Sequence, residues 1–224
     1  MRVRYRAAGV SREAAPDPQL RLGAARLYFI TPDRDPDALV ELARAAVRGG
    51  ADVLQLRHKT LPRGELLRLA ERLREITHEG NVLFIVNDHV DIAVASAADG
   101  AHLGPDDLTL ASARRVVGPS MLLGASAWTP AAAQAVVAAG ADYIGCGPAF
   151  PTSVKKGKEV IGPPGVSAVA SAVDVPVFAI GGIDAGNLPQ LTALGLNRVC
   201  VISAIAGAAD PEGMTRHLRT MLNP

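Results

Sequence analysis

A strict alternation is the feature that most limits how this chain can fold. After Arg26, a short apolar run rich in β-forming residues is followed by a longer amphipathic stretch, and this pair occurs eight times. The runs predicted to be strands are residues 27–31, 53–57, 82–87, 100–103, 121–126, 143–147, 177–181 and 199–203. The stretches predicted to be helices are residues 36–48, 63–77, 89–97, 109–117, 130–139, 165–172, 185–193 and 211–221.

Runs that are apolar almost throughout are typical of parallel strands covered on both faces, and the helical stretches between them are typical crossover connections. Eight such units favour closure into a barrel over an open sheet of five or six strands. No G-x-G-x-x-G follows the first predicted strand, which argues against a dinucleotide-binding fold. The predicted fold is therefore α/β, a single (β/α)8 TIM barrel.

Residues 1–25 precede the first predicted strand and differ from the rest of the chain. They contain four arginines by Arg12 but no apolar h-region, so no secretory signal is predicted. We interpret residues 1–25 as an N-terminal extension, flexible or helical, outside the main fold. Residues 26–224 form the predicted catalytic barrel domain.

Composition and charge narrow the classes of partner. The formal net charge is +1 and aromatic residues make up 4% of the chain, so no nucleic-acid surface is predicted. No apolar run reaches the ~18 residues needed to cross a bilayer, so no membrane partner is predicted.

Cys146 and Cys200 lie in apolar segments without C-x-x-C spacing, which is typical of buried, reduced thiols in a cytoplasmic protein. The Ala- and Val-rich stretch 131–139 suits packing on the barrel or on a second copy of the chain, so a homo-oligomer stays open.

Three large polar residues close the second predicted strand. Gln55, Arg57 and Lys59 are spaced two apart, so in a strand they project to the same side. Barrel enzymes build their sites at the C-terminal ends of the strands. Two cations and an amide converging there suit a diphosphate, whereas the alternative is a set of solvated charges just past a strand.

Acidic residues follow the next two predicted strands. Asp88 ends the third strand, and Asp106 and Asp107 follow the fourth. Two carboxylates held close together repel unless a cation or proton lies between them, and hard oxygen ligands beside a diphosphate suit Mg²⁺. The alternative is that Asp88 caps the helix that follows it and that Asp106 or Asp107 caps the helix near Thr109.

The last strands offer a second anion site. Gly181 and Gly182 end the seventh predicted strand and Ser203 ends the eighth, where barrels often bind phosphate. The long loop 147–164 carries further lysines, Lys155 among them, that suit an anionic group. No Ser/His/Asp triad or Cys/His pair is evident. A site rich in anion binders and poor in bases predicts a reaction in which diphosphate departs.

Seven short motifs occur in register with the predicted strands. They are Gln-x-Arg-x-Lys from Gln55, Asn-Asp from Asn87, His-x-Gly-x-x-Asp from His102, Gly-x-Ser from Gly124, Gly-Pro-x-x-Pro-Thr-x-x-Lys from Gly147, Gly-Gly-Ile from Gly181 and Ile-Ser-Ala-Ile from Ile202. With these motifs the chain, from about Arg26 to its C-terminus, strongly resembles the thiamine-phosphate synthase family.

The resemblance implies a barrel that joins hydroxymethylpyrimidine diphosphate to thiazole phosphate through a pyrimidine carbocation. It implies that Gln55, Arg57, Lys59, Asn87, Ser126 and Lys155 bind the pyrimidine diphosphate, with the catalytic roles on Arg57, Lys59, Ser126 and Lys155. It implies that Thr152, Ser153, Val154, Gly182, Ile202 and Ser203 hold the thiazole phosphate. It also implies that Asp88 and Asp107 ligate Mg²⁺.

Three positions depart from the family pattern. Trp128 stands where a histidine is usual, Val154 replaces a threonine of the sixth-strand loop, and Pro105 replaces a common glutamine. The related thiazole tautomerases use a histidine at the position of Trp128, and an indole cannot shuttle a proton. The alternatives to a synthase are therefore a tautomerase-like barrel and a barrel that binds thiamine precursors without turnover.

Overall fold

The computed structural model describes residues 17–152 and 159–222 and shows a closed barrel of eight parallel strands. The strands are β1 (Leu27–Ile30), β2 (Val53–Leu56), β3 (Leu83–Asn87), β4 (Gly100–Leu103), β5 (Leu122–Ser126), β6 (Tyr143–Cys146), β7 (Val177–Ile180) and β8 (Val199–Val201). Each strand pairs with its neighbours in chain order, and β8 closes on β1. The predicted (β/α)8 barrel is confirmed.

Helices alternate with the strands along the chain. They are α1 (Pro18–Ala24), α2 (Pro36–Arg48), α3 (Arg63–Glu79), α4 (Val90–Ala95), α5 (Leu110–Val117), α6 (Pro130–Ala138), α7 (Gly162–Ala170), α8 (Leu188–Thr192), α9 (Ser203–Ala206) and α10 (Pro211–Met221). The described part of the chain contains no helix long and apolar enough to cross a membrane.

Two helices start three residues away from their predicted first residue, and one short helix was missed. Helix α8 starts at Leu188 rather than residue 185, because Asp184 Oδ1 accepts hydrogen bonds from Gly186 N and Asn187 N and so forms a turn first. Helix α7 starts at Gly162 rather than residue 165. Helix α9 spans only four residues, too few to show a helical period in the sequence.

The barrel interior is filled by large rings. Tyr28, Tyr143 and Phe178 are fully buried, and the Phe178 ring meets both tyrosine rings edge-on, with centroids 5.3 and 5.9 Å away. Gly124 on β5 leaves the space for Tyr143, because a Cβ at position 124 would overlap the tyrosine ring. A second core lies between the strands and the surrounding helices. Burial raises the pKa of the Cys146 thiol, which lies in that core, to about 12.

Helix α1 lies across the N-terminal end of the barrel. Leu22 is buried against side chains from the starts of several strands, including Leu83 and Leu122. Asp17 caps the helix by accepting a hydrogen bond from Gln19 N, and Arg198 Nη2 donates to Gly23 O. Part of the N-terminal extension is thus packed on the barrel, and residues 1–16 lie outside the described residues.

Three aspartates join neighbouring strands at this end of the barrel, and we call them strand clamps. Asp52, just before β2, accepts from Arg26 N and Leu27 N at the start of β1. Asp99, just before β4, accepts from Phe84 N in β3. Asp142, just before β6, accepts from Leu123 N in β5. Each clamp accepts a hydrogen bond from at least one backbone N–H group at the N-terminal ends of the strands, which we call the barrel floor. Catalytic groups of barrel enzymes gather at the opposite, C-terminal ends of the strands.

Candidate active site

A cavity of about 520 Å³ opens at the C-terminal ends of the strands. Many of the residues predicted from the sequence to form a site line it. They are Gln55, Arg57, Lys59, Asn87, Asp88, Asp107, Ser126 and Ile202, joined by His102 and Trp128. The fold therefore brings together residues that are scattered over about 150 positions of the chain.

The end of β2 supplies Gln55, Arg57 and Lys59 to one side of this cavity, as the alternation predicted. Gln55 is deepest, at 2% exposure, and its Nε2 donates to Tyr28 Oη at 2.7 Å. Tyr28 Oη lies 2.9 Å from Tyr143 Oη. The amide is thus held by a buried pair of hydroxyl groups, while the two cations lie nearer the mouth of the cavity.

Residues just after β1 fix the end of β2, and sequence reasoning missed them. Thr31 is fully buried; its hydroxyl donates to Arg57 O at 3.0 Å and accepts from Arg57 N at 2.9 Å. Asp33 Oδ2 accepts from Arg57 Nη1 at 3.0 Å, and Asp33 Oδ1 accepts from Lys59 N at 2.6 Å. These contacts join positions 24 to 26 residues apart, so no local sequence pattern signals them.

Asp88 and Asp107 meet across the ends of β3 and β4. Lys59 Nζ forms an ion pair with Asp88 Oδ2, and the two carboxyl groups are close enough to shift each other's pKa. Asp107 Oδ2 also accepts from Gly104 N at 2.7 Å. Asp88 adopts a left-handed backbone conformation with φ of 62°, which aims its side chain back over the barrel end rather than along the next helix.

The alternative roles as helix caps are wrong for these acids. The N-cap of α4 is His89, not Asp88. The N-cap of α5 is Thr109, whose hydroxyl accepts from Ser112 N, so neither Asp106 nor Asp107 caps that helix. Both Asp88 and Asp107 are therefore left facing the cavity.

The two carboxyl groups differ in how readily they ionise. Burial alone would raise the pKa of Asp88, but hydrogen bonds from Lys59 and Asp107 outweigh it, so the pKa of Asp88 is lowered. Burial and the neighbouring Asp88 carboxyl raise the pKa of Asp107. Two neighbouring carboxylates repel each other, and a cation bound between them would relieve that repulsion.

The donor set at this pair fits Mg²⁺. The described residues contain no group of three or more His, Cys, Asp and Glu side chains that would enclose a metal ion. Mg²⁺ is commonly bound by one or two carboxylates, with waters and substrate phosphate oxygens completing an octahedron. Two contacting carboxyl groups beside Arg57 and Lys59 match that pattern.

The middle of the cavity is polar. Asn87 on β3 lies level with His102 on β4, and His102 Nε2 is 3.1 Å from Ser126 Oγ on β5. The ring centroid of His102 lies 5.6 Å from that of Tyr143. Trp128 follows β5, is 39% exposed and forms part of the cavity wall near the mouth.

A second, smaller pocket of about 50 Å³ opens between the ends of β6, β7 and β8. The predicted residues Thr152, Gly182, Ile202 and Ser203 line it, and Ile202 also borders the larger cavity. Gly182 has a φ of 65°, and a Cβ there would press on Pro151 O. Asn187 Nδ2 donates to Gly182 O at 2.7 Å and fixes this turn. The predicted residues Ser153, Val154 and Lys155 lie outside the described residues.

Comparisons with known proteins agree with this architecture. A family model described as thiamine monophosphate synthase matches residues 27–205. The chain belongs to the thiamine-phosphate synthase family. A solved structure, thiamine phosphate pyrophosphorylase from Pyrococcus furiosus, superposes with a TM-score of 0.83 at 38% identity, over 91% of this chain and 97% of that one.

Two relatives show how much of each chain is similar in sequence. Thiamine-phosphate synthase from Methanoculleus marisnigri is 47% identical over 183 residues, which are 80% of this chain and 85% of that protein. Thiamine-phosphate synthase from Gloeobacter violaceus is 44% identical over 207 residues, 92% of this chain but 60% of that protein. The chain thus spans about three fifths of the second relative's length. The resemblance drawn from the seven motifs is confirmed, and the family is one of transferases that form thiamine phosphate.

Proposed function

We propose that this chain joins hydroxymethylpyrimidine diphosphate to thiazole phosphate in an Mg²⁺-dependent reaction that gives thiamine phosphate and diphosphate. The observation that carries the proposal is the cluster of Arg57, Lys59, Asp88 and Asp107 at one wall of the large cavity. Two cations beside two hard carboxylate ligands suit a metal-bound diphosphate and little else.

The pyrimidine diphosphate is assigned to the large cavity. Arg57 and Lys59 bind its diphosphate, with Lys155 completing the set from the loop after β6. Gln55 on β2, Asn87 on β3 and Ser126 on β5 line the same cavity and are assigned to the pyrimidine ring. Asp88 and Asp107 would hold Mg²⁺, which supplies positive charge to the departing diphosphate.

The thiazole phosphate is assigned to the smaller pocket. Gly182 has no side chain and a positive φ, so its backbone allows an anion to approach closely, and Ser203 adds a hydroxyl group. Thr152 and Ile202 line the same pocket, and Ser153 and Val154 extend the assignment along the loop. Ile202 borders both cavities, which supports an assignment with the two substrates side by side.

The proposed mechanism is dissociative. The bond between the pyrimidine methylene carbon and the diphosphate oxygen breaks first, and the thiazole nitrogen then donates its lone pair to the carbocation. No proton is transferred in either step, which agrees with a cavity whose one histidine among the described lining residues is hydrogen-bonded to Ser126. Arg57, Lys59 and Ser126 stabilise the charge that develops on the leaving group, and losing one such contact typically costs ~2.7–4 kcal/mol of barrier.

The tautomerase alternative fits the site less well. It needs a proton shuttle at position 128, where the Trp128 indole offers one N–H donor and no basic nitrogen. A tautomerase reaction also does not require the cluster of Lys59, Asp88 and Asp107. Binding without turnover remains as an outcome that the experiment distinguishes.

Two further parts of the proposal concern the setting of the reaction. The partners are small phosphorylated molecules, without nucleic acid or membrane, and a homo-oligomer is compatible with the assigned site because all its residues come from one chain. The buried thiols Cys146 and Cys200 suit a reducing compartment, so we assign the protein to the cytoplasm.

The test is release of diphosphate from the two substrates with and without Mg²⁺, together with the amount of thiamine phosphate formed. We expect equal amounts of both products and dependence on Mg²⁺. Asp88→Ala and Lys155→Ala should each lower turnover at least a hundredfold, the effect of losing one strong electrostatic contact. Asp91→Ala is the control, because Asp91 is an exposed acid on α4 that pairs with Arg63. Tight binding of both substrates without product would replace the synthase with a binding barrel.

A further inference from the structure

The segment that follows β1 is tied to the end of β2 by more than strand pairing. Thr31 extends the pairing one residue beyond β1, with its backbone N donating to Gln55 O at 3.0 Å and its hydroxyl bonded to both backbone groups of Arg57. His58 Nε2 is bonded to Arg34 O at 3.0 Å, and His58 Nδ1 accepts from Leu61 N at 3.2 Å. The two loops therefore form one rigid unit at the cavity mouth.

Asp33 is the charged group at the centre of that unit. One carboxylate oxygen contacts the Arg57 guanidinium at 3.0 Å, and the other accepts from Lys59 N at 2.6 Å. Burial works against ionisation, but these two hydrogen bonds outweigh it and lower the pKa of Asp33. A single side chain thus fixes the guanidinium of one diphosphate-binding residue and the backbone of the other.

Asp33 has no role as a helix cap. Helix α2 is capped by Asp35, whose Oδ1 accepts from Asp37 N and Ala38 N. Among the described residues, Asp33 is the one acid that pairs with Arg57. The side chain of Arg57 is 24% exposed and that of Asp33 39% exposed, so the guanidinium would sample many orientations without this contact.

We propose that Asp33 is a positioning residue of the diphosphate subsite, which holds the Arg57 guanidinium and the Lys59 backbone in the geometry that the leaving group requires. The proposal rests on the proposed function for the identity of the ligand. No bond to substrate is assigned to Asp33 itself, because it acts through Arg57 and Lys59.

An acid in this place has two opposing effects on an anionic ligand. Its negative charge repels the diphosphate, so electrostatics alone predicts tighter binding when the charge is removed. Its hydrogen bonds hold Arg57 ready, so loss of positioning predicts weaker binding when the carboxylate is removed. The two effects differ in sign, which makes the direction of the change decisive.

The experiment compares Asp33→Asn with Asp35→Asn. Both variants remove one negative charge from the same loop, and asparagine keeps the cap at position 35. We expect Asp33→Asn to raise the KM for hydroxymethylpyrimidine diphosphate about tenfold, because tenfold corresponds to the loss of one partly exposed charge-assisted hydrogen bond. The KM for thiazole phosphate should be unchanged. Asp35→Asn should leave both KM values unchanged or lower the first slightly. Equal KM values in the two variants, or tighter binding in Asp33→Asn, would overturn the proposal.

A double-mutant cycle separates positioning from a general structural effect. Asp33 acts through both Arg57 and the Lys59 backbone, so adding Asp33→Asn to Arg57→Ala should raise the KM clearly less than about tenfold. The coupling between the two substitutions should exceed the roughly twofold deviation that uncoupled sites show. A full tenfold effect in the Arg57→Ala background would contradict that coupling.

A binding measurement keeps this proposal distinct from the proposed function. Titration calorimetry of inorganic pyrophosphate with Mg²⁺ needs no turnover, and we expect about tenfold weaker binding in Asp33→Asn than in Asp35→Asn. If the wild-type chain binds pyrophosphate with that dependence yet forms no thiamine phosphate, the proposed function fails and the positioning role stands. If the wild-type chain is an active synthase and the two variants bind pyrophosphate equally, the positioning role fails alone.

Discussion

Replacing Asp142 with alanine tests whether the strand clamps stabilise the barrel floor. Asp142 Oδ2 accepts from Leu123 N at 2.8 Å and from Arg114 Nη2 at 2.9 Å, and Oδ1 accepts from Gln19 Nε2 at 2.8 Å. The substitution removes all three bonds. It also leaves Leu123 N, which belongs to a fully buried residue, without its carboxylate partner.

The size of the effect follows from these three contacts. A buried backbone N–H left unsatisfied costs about 1–3 kcal/mol. The ion pair with Arg114 is partly exposed, at 20% for Asp142 and 29% for Arg114, so it adds at most about 1 kcal/mol. The exposed bond from Gln19 adds about 0.5 kcal/mol. We therefore expect the free energy of unfolding to fall by about 2–4 kcal/mol, which for a protein of this size lowers Tm by roughly 5–15 °C.

Thermal and urea unfolding of wild type, Asp142→Ala and Asp142→Asn provide the measurement. Asparagine keeps an acceptor for Leu123 N but loses the charge and the oxygen that accepts from Gln19. Both of these contacts are partly or fully exposed, so the variant should cost no more than about 1 kcal/mol. Turnover at 25 °C should be unchanged in both variants, because Asp142 lies at the opposite end of the barrel from the cavity. An alanine variant within about 0.5 kcal/mol of wild type would refute the reasoning, since that is the scatter of ordinary surface substitutions.

Three further outcomes are expected. The raised pKa of Asp107 means that this carboxyl group takes up a proton as the pH falls. Mg²⁺ affinity, measured by calorimetry with pyrophosphate, should therefore weaken more steeply towards acidic pH in the wild type than in an Asp107→Asn variant, in which only pyrophosphate and the remaining acids titrate. Gly124→Ala should lower the free energy of unfolding by about 1–3 kcal/mol, because its methyl group would overlap the Tyr143 ring. Gly23→Ala is the control and should not destabilise the protein, because its methyl group would meet no atom within 4 Å. Equal stabilities of the two variants in urea titrations would show that the packing argument is wrong. Trp128 is the one tryptophan of the sequence and borders the cavity, so its fluorescence should change when pyrophosphate and Mg²⁺ bind; an unaltered spectrum at saturation would place the ligand elsewhere.

The sequence was sufficient to predict the barrel because its separate patterns all indicate the same fold. The apolar runs, the amphipathic stretches between them and the eight repeats all favour the same architecture, and the structure has all eight strands in the predicted order. The side-chain alternation in β2 was enough to place Gln55, Arg57 and Lys59 together, since a strand has a fixed period.

Other parts of the site could not be read from local patterns. The contact of Asp33 with Arg57 joins two loops 24 residues apart, and the segment Thr31-Pro32-Asp33 by itself is typical of a turn. The position of Asp88 after a strand suits a helix cap equally well, and no local pattern marks its left-handed backbone conformation or its place in the cavity wall. Helix α9 is too short for periodicity to mark it.

The strand clamps also decide where this chain can be divided. They tie β1 to β2, β3 to β4 and β5 to β6, and each carboxylate lies within one two-strand segment of the chain. A gene cut at the exposed turn Gly80-Asn81 would give two fragments that each keep their clamp partners together. A cut at Gly49-Gly50 would part Asp52 from the backbone donors at the start of β1. The barrel is therefore better suited to complementation between fragments that each keep whole clamped strand pairs than to division at an arbitrary loop.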